Sequence, residues 1–199
     1  MNRLNRLFPF SGPAIVTGYG LLALAAYLFY PGPFSPLQNW LSDLGDINQN
    51  PRGAVLYNLG IILTGLLAVI FFLSLSKYKV SNRKAQNWMV VLTQTFGILG
   101  SLAMVMSGIF PISNLEFHRI WSISLYILLG TAFVFSLFAL RYFPECPGWV
   151  FILGGAAALV DILSGVFHEF TLLEWITVVL FLGYLFTLNV KIFPRLNRT

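Results

Sequence analysis

The chain has 199 residues, 57% of them hydrophobic and 10% charged, with a formal net charge of +5 and a mean hydropathy of +0.79. A soluble domain carries charge on about a quarter of its residues, so this composition excludes one and describes an integral membrane protein. The positive charge is not a nucleic-acid signal, because the basic residues sit at the ends of apolar segments with no aromatic-basic surface. The single cysteine, Cys146, cannot form an internal disulfide.

A helical span needs about 20 apolar residues to cross the hydrocarbon layer. The first such run covers about 13–30. Its apolar part, Pro13 to Phe29, is long for the core of a signal peptide and reads as a span kept in the mature protein. Next comes the longest polar interruption of the chain, Tyr30 to Gly53. Within it Ser35 suits an N-cap, Pro36 the first helical position and Gly45 the position just past a helix. Leu37, Trp40, Leu41 and Leu44 form one apolar stripe at helical spacing. The stretch predicts a short amphipathic interfacial helix over about 36–44. Asn50 and Pro51 then suit the cap and first residue of a second span, about 52–76, with Gly60, Thr64 and Ala68 in a small-residue row.

Further spans are predicted at about 87–109, 120–140, 149–167 and 173–192. Together they give an all-α integral membrane fold of six transmembrane helices in one bundle, a single domain over 1–199. Ten Lys and Arg fall on the side of the termini: Arg3, Arg6, Lys77, Lys79, Arg83, Lys84, Arg141, Lys191, Arg195 and Arg198. Only Arg52 and Arg119 fall on the other. By the positive-inside rule both termini are cytoplasmic, in a multi-pass protein of the cell membrane.

The acids divide the opposite way. Asp43, Asp46, Glu116, Glu169 and Glu174 fall on the outer side, with Asp161 facing it from within the fifth span and only Glu145 inside. Both histidines, His118 and His168, are outer as well. The positive-inside rule does not require this, so the convergence marks an outward polar site. Its candidate residues are Ser42, Asp43, Asp46, Asn58, His118, Asp161, Ser164, His168, Glu169 and Glu174.

Asp161 is costly inside an apolar span unless partnered, hydrated or protonated. With Ser164 and His168 at i, i+3, i+7 it forms one polar stripe. The bland alternative is that it only specifies packing between spans. His118 and His168, with Asp43 and Asp161, are candidate ligands for a divalent metal such as zinc or calcium, although no His-x-x-x-His spacing supports the set. A Ser-His-Asp arrangement built on Ser42 or Ser164 lacks any nucleophile motif.

The run P-x-P-x-S-P-L-x-N-W-L-S-D-L-G from Pro31 to Gly45, followed by N-P-x-G from Asn50 to Gly53 and then by Asn58 and Gly65, resembles a membrane family. The match continues through Gly108 to Pro111, His118 and the Glu174-Trp175 pair. This is the archaeal and bacterial family known as "domain of unknown function 998", and the resemblance covers essentially the whole chain. The order of a Ser-Asp-x-Gly loop, a Phe-to-His connection and a final Glu-Trp span is more loosely similar to the Frag/DRAM/Sfk group of six-span proteins. That likeness implies a role in lipid remodelling or organisation.

The leading expectation is therefore a lipid-handling protein, with membrane lipids as partners and a head group received at the outer polar site. Alternatives are a metal-dependent intramembrane hydrolase using His118, His168 and carboxylates, a proton-coupled transporter using Asp161, and a bundle with no site of its own. No internal repeat or broken mid-membrane helix supports a transporter. The substrate, any reaction and the oligomeric state are not specified by the sequence.

Overall fold

The computed structural model describes residues 3–79 and 83–196; Arg198 of the expected basic tail lies outside them. Six long helices follow in order: α1 (Arg3–Leu28), α2 (Ala54–Ser74), α3 (Lys84–Ile109), α4 (Leu115–Leu140), α5 (Gly148–Val166) and α6 (Thr171–Thr187). A 3-10 turn, Leu75–Tyr78, extends α2, and a π-helical turn, Leu188–Ile192, extends α6. All six are long and apolar enough to cross a membrane. The described residues contain no strand.

The expected spans are present, but several helices start earlier. α3 begins at Lys84 rather than at 87, and α4 at Leu115 rather than at 120. A helix needs backbone bonds, not apolar side chains, so it continues through polar flanks. Gln86 is fully buried there, and its side-chain amide donates to the Tyr78 carbonyl at 2.9 Å. α1 passes through Pro13 instead of starting at it.

Consecutive helices pack against each other, and α6 returns to α1, closing a ring of six. Small residues permit this closeness. A Cβ on Gly65 would lie 2.8 Å from the Ser101 carbonyl of α3, and one on Gly130 would lie 3.0 Å from the Ala158 carbonyl of α5. Phe71, Phe72, Leu129, Phe133, Tyr184 and Leu185 fill the centre. Large apolar residues such as Ile152 and Val179 are exposed on the outside, as a lipid-facing surface requires. The Asn189 amide meets the Ser11 hydroxyl at 3.3 Å, which places the start of the chain and the end of the bundle together.

The loop between α1 and α2 departs from expectation. It forms a turn at Pro36–Gln38 and a 3-10 helix at Leu41–Gly45, not one amphipathic helix over 36–44. The Gln38 and Asn39 amides do bond the Ser35 carbonyl, so the turn starts where Ser35 was expected to cap. It does not propagate because its polar groups find other partners. The Trp40 amide donates to Asp43 Oδ2 at 3.0 Å, and the Leu41 amide to Glu174 Oε2 at 2.8 Å. The Pro36 carbonyl accepts from Thr171 Oγ1 at 2.9 Å, and the Asn39 carbonyl from Trp175 Nε1 at 3.0 Å. The apolar stripe is split accordingly, with Leu41 and Leu44 buried and Leu37 76% exposed. Likewise Asn50 closes a turn ahead of α2, which starts at Ala54 rather than at 52.

Candidate functional site

At the end of the bundle away from the termini, the polar residues form two groups joined by Glu174 and by Ser42 of the loop, which also lines the cavity. The first group fastens the loop. Asp43 Oδ2 receives the Trp40 amide, a short-range carboxylate bond typical of Asp in turns. Burial pushes the Asp43 carboxyl above its ordinary value, the Trp40 amide and the Asn39 side chain oppose this, and Asp46 adds to it. Asp46 accepts the Asn48 amide at 2.9 Å and the Gln49 side-chain amide at 3.1 Å. Asn58 Nδ2 reaches from α2 to the Gly45 carbonyl at 3.0 Å. Gly45 has to be glycine at this contact, since an added Cβ would lie 2.3 Å from Asn58 Oδ1.

Asn50 is the centre of this group. It is fully buried. Its Nδ2 donates to the Ala26 carbonyl at 3.0 Å and the Leu44 carbonyl at 2.9 Å, and its Oδ1 accepts the Gly53 amide at 3.1 Å. One side chain thus ties the end of α1, the 3-10 helix and the start of α2. Its sequence reading as a helix cap captured only the last of these bonds.

The second group lines a cavity of about 330 Å³ between α4, α5 and α6. Arg119, His168 and Glu169 stand with the apolar side chains Leu115, Phe167 and Phe170 in its lining, alongside Ser42, His118, Ser122, Tyr126, Ser164 and Glu174. A second, smaller space of about 50 Å³ is lined by Tyr57, Asn58 and Ser107 among others. Ser42, His118, Ser122, Tyr126 and Glu174 border both spaces. Arg119 hydrogen-bonds His168 Nε2. Glu174 belongs to both groups: it receives the Leu41 amide from the loop and lines the cavity.

His118 is held from two sides. Its Nδ1 lies 2.9 Å from the Phe110 carbonyl and 3.3 Å from the Ser107 carbonyl. A carbonyl only accepts, so the ring proton sits on Nδ1 and a neutral ring presents a bare Nε2. That nitrogen is 3.2 Å from Ser122 Oγ, which is itself 3.1 Å from Ser107 Oγ.

The fifth-span stripe is divided. Ser164 is buried and shares a hydrogen bond of 2.6 Å with Thr177 Oγ1. His168 and Ser164 line the cavity, and Asp161 does not. Asp161 is buried against α4 at Gly130, and neither of its oxygens has a hydrogen-bond partner among the described residues. No group of three or more His, Cys, Asp or Glu among the described residues is placed to hold a metal ion. Of the metal-ligand candidates, Asp43 is bonded into the loop and Asp161 lies outside the cavity, while His118 and His168 both line it, His168 with its Nε2 on Arg119. Neither Ser42 nor Ser164 has a hydrogen bond to a histidine among the described residues; Ser122 does. Its only sequence signal was its position one helical turn after His118.

A family model described as "Protein of unknown function (DUF998)" matches residues 14–191, and the chain belongs to that family. No curated protein and no solved structure matches it. Most of the residues that carried the resemblance in the sequence are bonded within this region. Asn39 and Leu41 bond Trp175 and Glu174, Gly45 bonds Asn58, Asn50 spans the loop, and Phe110 bonds His118.

Proposed function

We propose that this member of the DUF998 family binds a membrane lipid, with an anionic head group in the cavity between α4, α5 and α6 and the acyl chains against the outside of the bundle. The observation that carries this reading is the composition of the cavity. Its polar lining holds a guanidinium, Arg119, whose partner is an imidazole, beside the carboxyl groups of Glu169 and Glu174 and several hydroxyls, and its remaining wall is apolar, with Ile112, Leu115, Ile123, Phe167, Phe170 and Leu173. A guanidinium offers parallel N–H donors to a phosphate or carboxylate. A volume of about 330 Å³ suits a head group rather than a whole lipid. Exposed Leu115, Phe117, Ile120 and Phe170 continue the apolar wall toward the bilayer. The excess of Lys and Arg at the other end supports an outward-facing cavity.

The transporter reading has less support, since Asp161 is outside the cavity lining. Among the described residues, a metal-dependent hydrolase has no group of three or more His, Cys, Asp or Glu on which to build. Protein extracted from native membranes in a mild detergent and examined by native mass spectrometry should carry a defined anionic lipid, and Arg119→Ala should lower its occupancy at least about tenfold, the loss of one charge-assisted contact. Wild-type protein with no retained lipid, or occupancy unchanged in Arg119→Ala, would contradict the proposal.

A further inference from the structure

We infer that Ser122 is a nucleophile with His118 as its general base, and that the cavity cleaves a carboxylic ester of an amphiphile. The substrate class rests on the lipid-binding reading above; the nucleophile does not. The first observation is the chain Ser122 Oγ to His118 Nε2, 3.2 Å, then His118 Nδ1 to the Phe110 carbonyl, 2.9 Å. A hydroxyl, an imidazole and an acceptor that fixes the imidazole tautomer are the three parts of an activated serine. Here a main-chain carbonyl at the end of α3 takes the orienting place that a carboxylate usually holds.

The second observation is a contrast with five other helical hydroxyls, although Ser107, Ser136 and Ser164 bond side chains as Ser122 does. Ser74, Thr93, Ser101, Ser124 and Thr131 each bond the carbonyl four residues back, at 2.6–2.8 Å. That is the ordinary fate of a hydroxyl on an apolar helix. Ser122 bonds the His118 ring and the Ser107 hydroxyl instead. The third observation is access, because Ser122 and His118 line the cavity of about 330 Å³.

The reaction balances with water as the only co-reactant. Ser122 Oγ attacks the ester carbonyl carbon while its proton passes to His118 Nε2. The C–O bond to the alcohol breaks, and the departing alkoxide takes the proton back from Nε2. A water then gives a proton to Nε2 and attacks the acyl carbon. The Oγ–acyl bond breaks, Oγ recovers the proton, and a carboxylic acid leaves. Tyr126, one helical turn beyond Ser122 on the same wall, offers its phenol hydroxyl to the oxyanion formed in each half.

The test is reaction of the purified full-length protein with an alkyl fluorophosphonate, which loses fluoride as a serine Oγ–P bond forms. Peptide mapping of the wild type should place one adduct on Ser122, a result that does not depend on any variant folding. Ser122→Ala should not be labelled, and His118→Gln should be labelled about a hundredfold more slowly, the low end of a general-base contribution. No adduct, an adduct elsewhere, or equal labelling of Ser122→Ala would overturn the inference. Native mass spectrometry of the same samples separates the two proposals. Retained lipid with no adduct overturns the nucleophile and leaves lipid binding standing. An adduct on Ser122 with no retained lipid supports the nucleophile and overturns the lipid as its substrate.

Discussion

The loop and the cavity wall occupy the same end of the bundle and draw on the same residue types, yet they use them in opposite ways. In the loop, Asp43, Asp46, Asn50 and Asn58 bond backbone groups or near neighbours. Each removes an unpaired amide or carbonyl from a place with little water. On the wall, Arg119 bonds His168 and Ser122 bonds His118 through side chains, and all four still border an open space. A polar cluster read from sequence as one site is thus two structures. One holds the chain's shape, and the other borders a cavity.

The comparison breaks most readily at Asn50. Removing its side chain leaves the Ala26 and Leu44 carbonyls and the Gly53 amide unpaired in a buried place. Asn50→Ala should lower stability by about 3 kcal/mol, three modest bonds plus the cost of stranded groups. Denaturant unfolding in detergent micelles checks this. A loss under about 1 kcal/mol would mean the loop is not held as described.

Glu174 is the joint and should give an intermediate result. Glu174→Ala strands the Leu41 amide and should cost about 1–2 kcal/mol. Glu174→Gln keeps an acceptor oxygen and should cost less than half of that in the same assay. Equal losses would show that the charge, not the loop bond, matters to folding.

Asp43 should give a smaller effect with a definite pH dependence. Its carboxyl titrates above its ordinary value of 3.8, chiefly through burial. An acid raised in the folded state favours folding in its protonated form, so its contribution is full below the unfolded value and is lost as the pH rises through the folded one. Asp43→Asn keeps an oxygen for the Trp40 amide. It should match the wild type near pH 3.5 and exceed it at pH 7 by less than about 1 kcal/mol. Melting curves at the two pH values test the sign, and a wild type that gains on the variant as the pH rises would reverse it.

These cases also mark what the sequence could disclose. The six spans were legible because a run of about 20 apolar residues has few other uses. The polar convergence was legible from the placement of seven acids and two histidines. The loop conformation was not. Leu37, Trp40, Leu41 and Leu44 fit a helix in isolation, and the bond that diverts the Leu41 amide comes from a residue 133 positions away. The role of Asn50 was hidden for the same reason, since its bond to Ala26 crosses 24 residues. Ser122 was visible only as a spacing. A serine one turn from a histidine is ordinary until the Phe110 carbonyl fixes which ring nitrogen faces it. Asp161 stood out in the sequence for its charge, and it proves to be buried apart from the cavity that its neighbours line.

The central claim is that loop and wall are separable, and one paired measurement addresses it. Unfolding free energy and retained lipid are determined on the same preparations of Asn50→Ala and Arg119→Ala. Arg119→Ala should stay within about 0.5 kcal/mol of wild type, as a substitution away from buried bonds does, while losing at least about nine-tenths of its lipid, the tenfold drop expected for one charge-assisted contact. Asn50→Ala, in those molecules that remain folded, should keep its lipid while losing stability. Loss of both properties in both variants would contradict the division and make this end of the bundle a single structure.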